Sequence, residues 1–432
     1  MKNLHSWILL LSIFIYAQGS CQVGIGTTSP RGALDINSPT TNNKGLVLPT
    51  NNSPTNMTNP QGGALAEGTV MYDNTEKCVK FYNGSTWSNC LCDTCGPSTS
   101  TIIADCTQNG FTGSYTSNIP LSGTTFTVTI TNNSFSTSTL NLQPSDLVLS
   151  GVTGLTVSSV SPTTATLNAG QSQMLTYTIT GTPNNKGTLT GTWSKLSLNC
   201  SNSVTVAPGV RFAYWGTAYS IGTSTFSTFN SQLTNTANYG PTGTYNKIGG
   251  FNFIDITSIL GSATAASLLA NYDVICIGAN TEIDAASSLK IKGYVDGGGV
   301  ATILLDQSFN TAIFQTFGGT GSVGAGATNG VTTTDTTNNG VFGTGTNASI
   351  TGFGQQGRIL LSQLASGSVV LATETASTND IALWKTGTGG RAIFSWDEGV
   401  YRSSNITGTV IDTPQEIFLH NIMAYLLNAR GF

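Results

Sequence analysis

Charge is scarce in this chain. Asp, Glu, Lys and Arg together make up 8% of its 432 residues, against about a quarter in an ordinary soluble domain. Long coiled coils, which depend on charged flanks, are excluded. The net charge is −4 and no basic run occurs, so nucleic acid is not an expected partner. Histidine is scarcer still, with only His5 and His420. A metal centre built on several imidazoles is therefore excluded, and a thiol or hydroxyl nucleophile has little choice of base. Long hydrophobic runs are missing too. The one apolar run, residues 7–16 (WILLLSIFIY), is too short to cross a bilayer. No transmembrane span is expected.

Thr, Ser, Asn and Gly supply the polarity instead, with 51 glycines. β-Branched residues interrupted by so many turn formers favour extended β structure under an uncharged surface. The length suits two to four domains. Lys2, the run at 7–16 and Ala17-Gln18-Gly19 read as a secretory signal over residues 1–20. The expected destination is secreted or cell-surface. Cys21 adds the alternative of an outer-membrane lipoprotein, although the residue three before it is Gln18 rather than a large aliphatic.

Eight cysteines in an exported chain read first as disulfides. Cys276 sits inside an apolar strand pattern and reads as a buried free thiol. Cys21 lies near the new terminus. The other six, Cys78, Cys90, Cys92, Cys95, Cys106 and Cys200, allow 15 pairings. Spacing favours Cys78–Cys90 across a hairpin and Cys106–Cys200 closing a domain, with Cys92–Cys95 as a small loop. A zinc site from Cys78, Cys90, Cys92 and Cys95 lacks paired C-x-x-C knuckles, and no metal is expected. No cofactor is expected either.

Residues 21–97 read as short strands divided by Gly, Pro and Asn turns, and Asn83-Gly84 before Trp87 is a hairpin signal. The order VGIGTTSP, LDI, KGLVLP, GTVMYD, FYNGSTW resembles the N-terminal module of exported surface proteins of Bacteroidota, and phage tail-fibre head regions. The resemblance covers residue 23 to about residue 90. It implies a β-rich stalk or attachment piece and a homo-oligomer, a trimer, as partner state. Thr50 stands where such modules usually carry Arg.

Residues 104–208 change pattern. Alternating stretches at 125–131, 155–160 and 174–179, separated by turn residues, predict an antiparallel sandwich. The region resembles an immunoglobulin-like domain, used as a spacer or a binder.

Residues 209–432 alternate strand-like and helix-like segments, which predicts a parallel or mixed α/β sheet. Its centre is residues 271–307, where Val274–Ile277 and residues 300–305 are nearly all apolar and flank a helical stretch ending at Gly297-Gly298-Gly299. Helices are expected at 258–269 and 285–295, and after Thr413-Pro414-Gln415-Glu416, a capping box with proline at N1. Residues 318–357, rich in Gly and Thr, read as a surface insertion, and the G-x-G-x-x-G at Gly319, Gly321 and Gly324 is a chance product of that composition. The pattern resembles the class I glutamine-amidotransferase-like superfamily. That implies a Cys on a strand–helix elbow, yet Asp306-Gln307-Ser308 stands where the elbow belongs. The expected class is therefore multidomain: a β-rich N-terminal module plus an immunoglobulin-like β-sandwich plus a C-terminal α/β domain with a flavodoxin-like or amidotransferase-like parallel sheet.

Ligands in such sheets sit at strand carboxyl ends. Glu282, Asp306, Glu374, Asp397 and Glu398 lie there and are the candidate catalytic carboxylates. Trp215, Asn280, Gln307 and Trp396 are the candidate ligand contacts. His420 in the last helix reads as a packing residue. The expectation is an exported, non-catalytic surface protein that binds a glycan, a peptide or a cell-surface partner through a degenerate head. The alternative is a secreted hydrolase of glycans or peptides working through those carboxylates.

Overall fold

The computed structural model describes residues 23–29, 33–36, 45–91, 102–134, 137–196, 198–279, 281–307, 309–354 and 356–432. Residues 1–20, Cys21, Cys92, Cys95 and Asn280 lie outside the described residues. The protein is rich in β structure, with several sheets and a few helices.

Residues 23–91 form small sheets. Val23–Ile25 pairs in parallel with Leu34–Ile36. Thr50–Asn51, Val70–Asp73 and Cys78–Phe81 make a second sheet of three strands. Cys78 and Cys90 are bonded, with Cα atoms 5.4 Å apart. Lys80 is buried between Asp73 (3.1 Å) and Glu76 (2.6 Å).

Two sheets pack face to face between Ile102 and Val206. One runs Leu155–Ser161, Ser172–Gly181, Thr125–Asn132, Ile102–Thr112; the other runs Leu198–Val206, Gly187–Lys195, Leu147–Ser150. Period-2 alternation decides the faces. Phe126, Val128 and Ile130 point inward, and so do Leu175, Tyr177 and Ile179. Trp193 of the second sheet donates its indole N–H to the Tyr177 hydroxyl at 2.7 Å, which satisfies both polar atoms inside an apolar core. The bond Cys106–Cys200, Cα–Cα 5.9 Å, joins strands of opposite sheets. Both pairings favoured by spacing are therefore present.

Only Ala207 and Pro208 separate the strand Leu198–Val206 from Gly209–Trp215. That strand enters an 11-stranded sheet whose parallel part is ordered Gly250–Asp255, Gly209–Trp215, Val274–Ile277, Val300–Leu304, Ala392–Ser395. Helices Ser227–Thr234 and Pro414–Arg430 cover one face, and Ala265–Asn271, Ala285–Asp296 and Thr311–Thr316 cover the other. Burial on both faces explains why the central strands are continuous apolar runs. The turn at Gly297-Gly298-Gly299 needs glycine, because a Cβ on Gly299 would meet the Tyr294 ring at 2.3 Å.

The sheet is mixed, not parallel throughout. Ser377–Thr386 runs antiparallel to Ala392–Ser395, followed by Val369–Glu374, Asn329–Thr332 and Ser349–Thr351. Residues 318–357 are thus no loose surface loop. Asn421 in the last helix donates to Asn338 O (3.0 Å) and Gly343 O (2.9 Å), which pins the segment down. The helix expected at 258–269 is shorter and later, Ala265–Asn271. A capping box between Thr264 and Ser267 starts it, and residues 258–263 are turns. The last helix begins as expected, with Thr413 capping the Glu416 N–H and Gly431 closing it at φ 105°.

The two-sheet region holds the α/β region at one end. Ser117 Oγ accepts from Gly209 N at 3.0 Å, and Asn252 donates to Asn118 O at 2.8 Å. These contacts meet the amino ends of the parallel strands. Their carboxyl ends therefore face away from the junction.

Candidate functional site

The carboxyl ends of Gly209–Trp215, Val274–Ile277, Val300–Leu304 and Ala392–Ser395 form one edge. Asn310, in the left-handed conformation (φ 67°), ties two of them together: its amide donates to Gly278 O (3.1 Å) and Leu304 O (2.7 Å). Asp306 and Gln307 follow one strand, and Asp397, Glu398 and Arg402 follow another.

Asp397 has no exposed surface. Its Oδ2 accepts from Phe353 N at 2.6 Å and Gln356 Nε2 at 3.4 Å, and its Oδ1 from Gly399 N at 2.8 Å. Glu398, also buried, accepts from the Arg402 guanidinium on Oε1, with Nε at 2.9 Å. No basic or amide group faces Glu398 Oε2 among the described residues. Burial first, then the hydrogen bond to Asp397 and the charge on it, push the Glu398 carboxyl up to about 9 against the pull of Arg402. At neutral pH Glu398 therefore holds a proton. The Arg402 guanidinium lies between the rings of Tyr219 and Phe353, 4.7 Å from each centroid. Stacking of this kind orients the planar cation and leaves its edge for hydrogen bonds. Arg402 follows the short 3-10 turn Glu398–Tyr401; sequence reasoning missed it, and its spacing of four from Glu398 is the one signal that could have found it.

Asp306 is half-buried and accepts from Gln307 N at 2.6 Å. Its carboxyl is raised by burial, opposed by that hydrogen bond, and raised again by the Asp397 charge. So the structure brings Asp306, Asp397 and Glu398 into one electrostatic neighbourhood. It does not bring the other two. Glu282 is exposed, and its Oε1 accepts from Ala312 N at 2.8 Å, with Asn310 N on its other oxygen. It caps the helix Thr311–Thr316. Glu374 is buried and accepts from Ala327 N at 2.9 Å; its neighbouring charges are Asp380 and Arg358.

The aromatic candidates divide as well. Trp396 is wholly buried, with its indole N–H on Ala327 O at 2.8 Å. It has no face to offer a ligand, which corrects its reading as a contact. Trp215 is half-buried against the core. Tyr219 and Phe353 supply rings at this edge instead; they lie in loops, where aromatic residues carry no period to read.

Among the described residues, the free thiol and the histidine are both buried. Cys276 is buried and free, its thiol pushed up to about 12 by burial. His420 is buried between Tyr239 Oη on Nδ1 (2.9 Å) and Gln232 Oε1 on Nε2 (2.8 Å). Burial holds it down to about 3, so it stays neutral. The one group of potential metal ligands among the described residues is Glu76, Cys78 and Cys90, and both sulfurs are in a disulfide. Two cavities lie elsewhere, about 380 Å³ beside Leu147 and Leu155 and about 510 Å³ beside Leu360 and Asn379.

Residues 24–104 match a family described as a phage tail like trimerisation region. The chain is similar to a putative ThuA-like protein from Bacteroides uniformis, at 14% identity over 51% of this chain and 92% of that one, with a TM-score of 0.31. A second similar structure is an ASH/PapD-like domain of human CEP192, at 12% identity over 28% of this chain and 92% of that one, TM-score 0.16. No curated protein matches. No helix among the described residues is long and apolar enough to cross a membrane.

Proposed function

We propose that the chain is an exported display protein: an immunoglobulin-like spacer carries an amidotransferase-like head that binds a glycan or peptide and does not cut it. The observation that carries this is the state of the edge carboxyls. Asp397 and Glu398 lie beneath the surface, and their oxygens hold Phe353, Gly399 and Arg402 in place. A buried carboxyl engaged in this way supports a loop; it does not reach a substrate. What the edge offers outward is Tyr219, Phe353, Arg402, Asp306 and Gln307. Rings next to planar hydrogen-bonding groups suit a ligand with both apolar and polar faces. Export is supported by two disulfides, which persist in oxidising compartments.

Protease applied to intact cells, with mass spectrometry of the released peptides, tests the display. Peptides from residues 209–432 are expected in the supernatant; full protection with recovery from the cytoplasm would sink the reading.

The second reading, a hydrolase, rests on one specific observation. Glu398 protonated and Asp306 half-exposed are two carboxyls with unlike environments, the pattern of an acid and its partner. It requires turnover that disappears in Asp306→Asn.

A further inference from the structure

The arginine at the strand edge has one side left open. A guanidinium carries its N–H donors in a single plane, with two edges that each present a parallel pair. In Arg402 one edge is used: the Nε–H, at 2.9 Å, and an Nη2–H both go to Glu398 Oε1. The other edge, Nη1 with the second Nη2–H, meets no protein acceptor among the described residues, and the side chain is 23% exposed. Glu398, pushed up to about 9 by burial first and then by Asp397, is neutral at pH 7 and does not cancel the Arg402 charge.

Both faces of the same group are closed. The rings of Tyr219 and Phe353 have their centroids 4.7 Å from it, so a ligand can reach it only in its own plane. Tyr219 is held at φ 53°, in the left-handed region, which a bulky side chain enters at a cost. Its carbonyl accepts from Ala279 N at 3.0 Å, which ties the loop to the end of Val274–Ile277. The strain is kept where it sets a ring on the arginine. Phe353 is 47% exposed, so apolar surface adjoins the guanidinium. Asp306 lies near enough for the Arg402 charge to act on its carboxyl, and Gln307 follows it.

We propose that the free Nη1–Nη2 edge of Arg402 grips the carboxylate of an acidic sugar, a uronate within a glycan, in the plane that Tyr219 and Phe353 define. This rests on the reading of the edge as the binding site of the head and names what it binds. Two parallel donors match the two oxygens of a carboxylate. In a uronate that carboxylate is fixed to a pyranose ring. The C–H face of the ring packs on Phe353, and its hydroxyls reach Asp306 and Gln307. Peptides are held by a lateral sheet edge, a groove or a cluster of arginines. The residues here stand at strand ends, with one arginine among them.

Isothermal titration of the purified chain tests this, with short oligomers of galacturonate, glucuronate and mannuronate as probes. Each is paired with the same oligomer after reduction of its carboxylates to primary alcohols. Peptides with free and with amidated C-termini form the other arm. At least one acidic oligomer should bind, and its reduced form should bind at least about tenfold more weakly, the scale of one charge-assisted hydrogen bond. Arg402→Lys keeps the charge and loses the fork, and it should weaken binding of the acidic oligomer at least about tenfold. The comparison of acid with alcohol uses the native chain, so it decides even where the variant fails to fold. Equal affinity for the acidic and reduced forms would overturn the carboxylate contact and leave the head a sugar binder. Binding of a peptide and of none of the oligomers would overturn the sugar and leave the head a binder. Binding of no probe at all would overturn this proposal together with the binding role of the head.

Discussion

Phe353 donates its backbone N–H to the Asp397 carboxylate at 2.6 Å. That bond joins an exposed loop residue to a side chain with no exposed surface. It shows Asp397 acting as a support for the edge, and it sets the first expectation.

Asp397→Ala strands two donors, the Phe353 and Gly399 N–H groups, and removes one of the two acceptors of the Gln356 amide. Each buried donor left unpaired costs about 1–3 kcal/mol. The loss of stability should be on the order of 3–5 kcal/mol, seen as a lowered midpoint in urea unfolding followed by tryptophan fluorescence. A midpoint unchanged within error would mean that Asp397 is not holding the loop.

Two buried groups with large shifts, His420 and Glu398, contribute opposite slopes to the pH profile of stability. His420 is held down to about 3 by burial. Between pH 3 and its ordinary value near 6.5 the unfolded chain binds the extra proton, so stability rises with pH there. Glu398 is pushed up to about 9 by burial and by Asp397. Between its ordinary value near 4.3 and pH 9 the folded chain binds the extra proton, so its contribution falls as pH rises. The two cancel between about pH 4.5 and 6.5. Stability should climb to a plateau there and decline from pH 6.5 to 9. Glu398→Gln should flatten the alkaline decline alone. Chemical unfolding measured at each pH reads this, and a decline that persists unchanged in Glu398→Gln would contradict the assignment.

Reduction should act on the two-sheet region more than on the α/β region. Cys106–Cys200 closes a loop with a sequence separation of 94, which contributes up to about 4–5 kcal/mol in the chain-entropy model. Cys276 has no exposed surface, so alkylation should reach it only after denaturation. Non-reducing peptide mapping of the purified protein checks both. Cys106 or Cys200 recovered as alkylated thiols would contradict the bond.

The parts of the fold that were legible in the sequence are those whose signal is local. Val274–Ile277 and Val300–Leu304 are apolar on both faces because both faces are covered, and that needs no partner to be read. Thr413, Pro414 and Glu416 state their own cap. Cys78 and Cys90 flank a hairpin that brings them together. The parts that were not legible depend on distant residues. Residues 318–357 look like loop because Asn338 and Thr332 draw their bonds from Gly345 O, Leu371 O and Asn421. Trp396 is a core residue because Ala327 O waits for its N–H. Tyr219, Phe353 and Arg402 meet from three separate loops, and sequence reasoning marked none of them. Of five candidate carboxylates, three converge; Glu282 went to a helix end and Glu374 to a backbone amide.

The edge itself separates binding from catalysis. Tyr219→Ala and Phe353→Ala remove the rings that sandwich Arg402. Each should weaken ligand binding roughly tenfold, about the ~1 kcal/mol or more that an aromatic or cation–π contact contributes. Thermal stability should move little, since Phe353 is exposed and Tyr219 half-exposed. Isothermal titration checks this, and unaltered affinity in both variants would place the ligand elsewhere.

The most direct measurement is to incubate the purified chain with a panel of glycans and peptides, recording binding and product formation on the same ligands. The account predicts retention of at least one ligand, lost in the Tyr219→Ala, Phe353→Ala double variant, with every ligand recovered intact by mass spectrometry. Cleavage of a bound ligand by the native chain, abolished in Asp306→Asn, would contradict it.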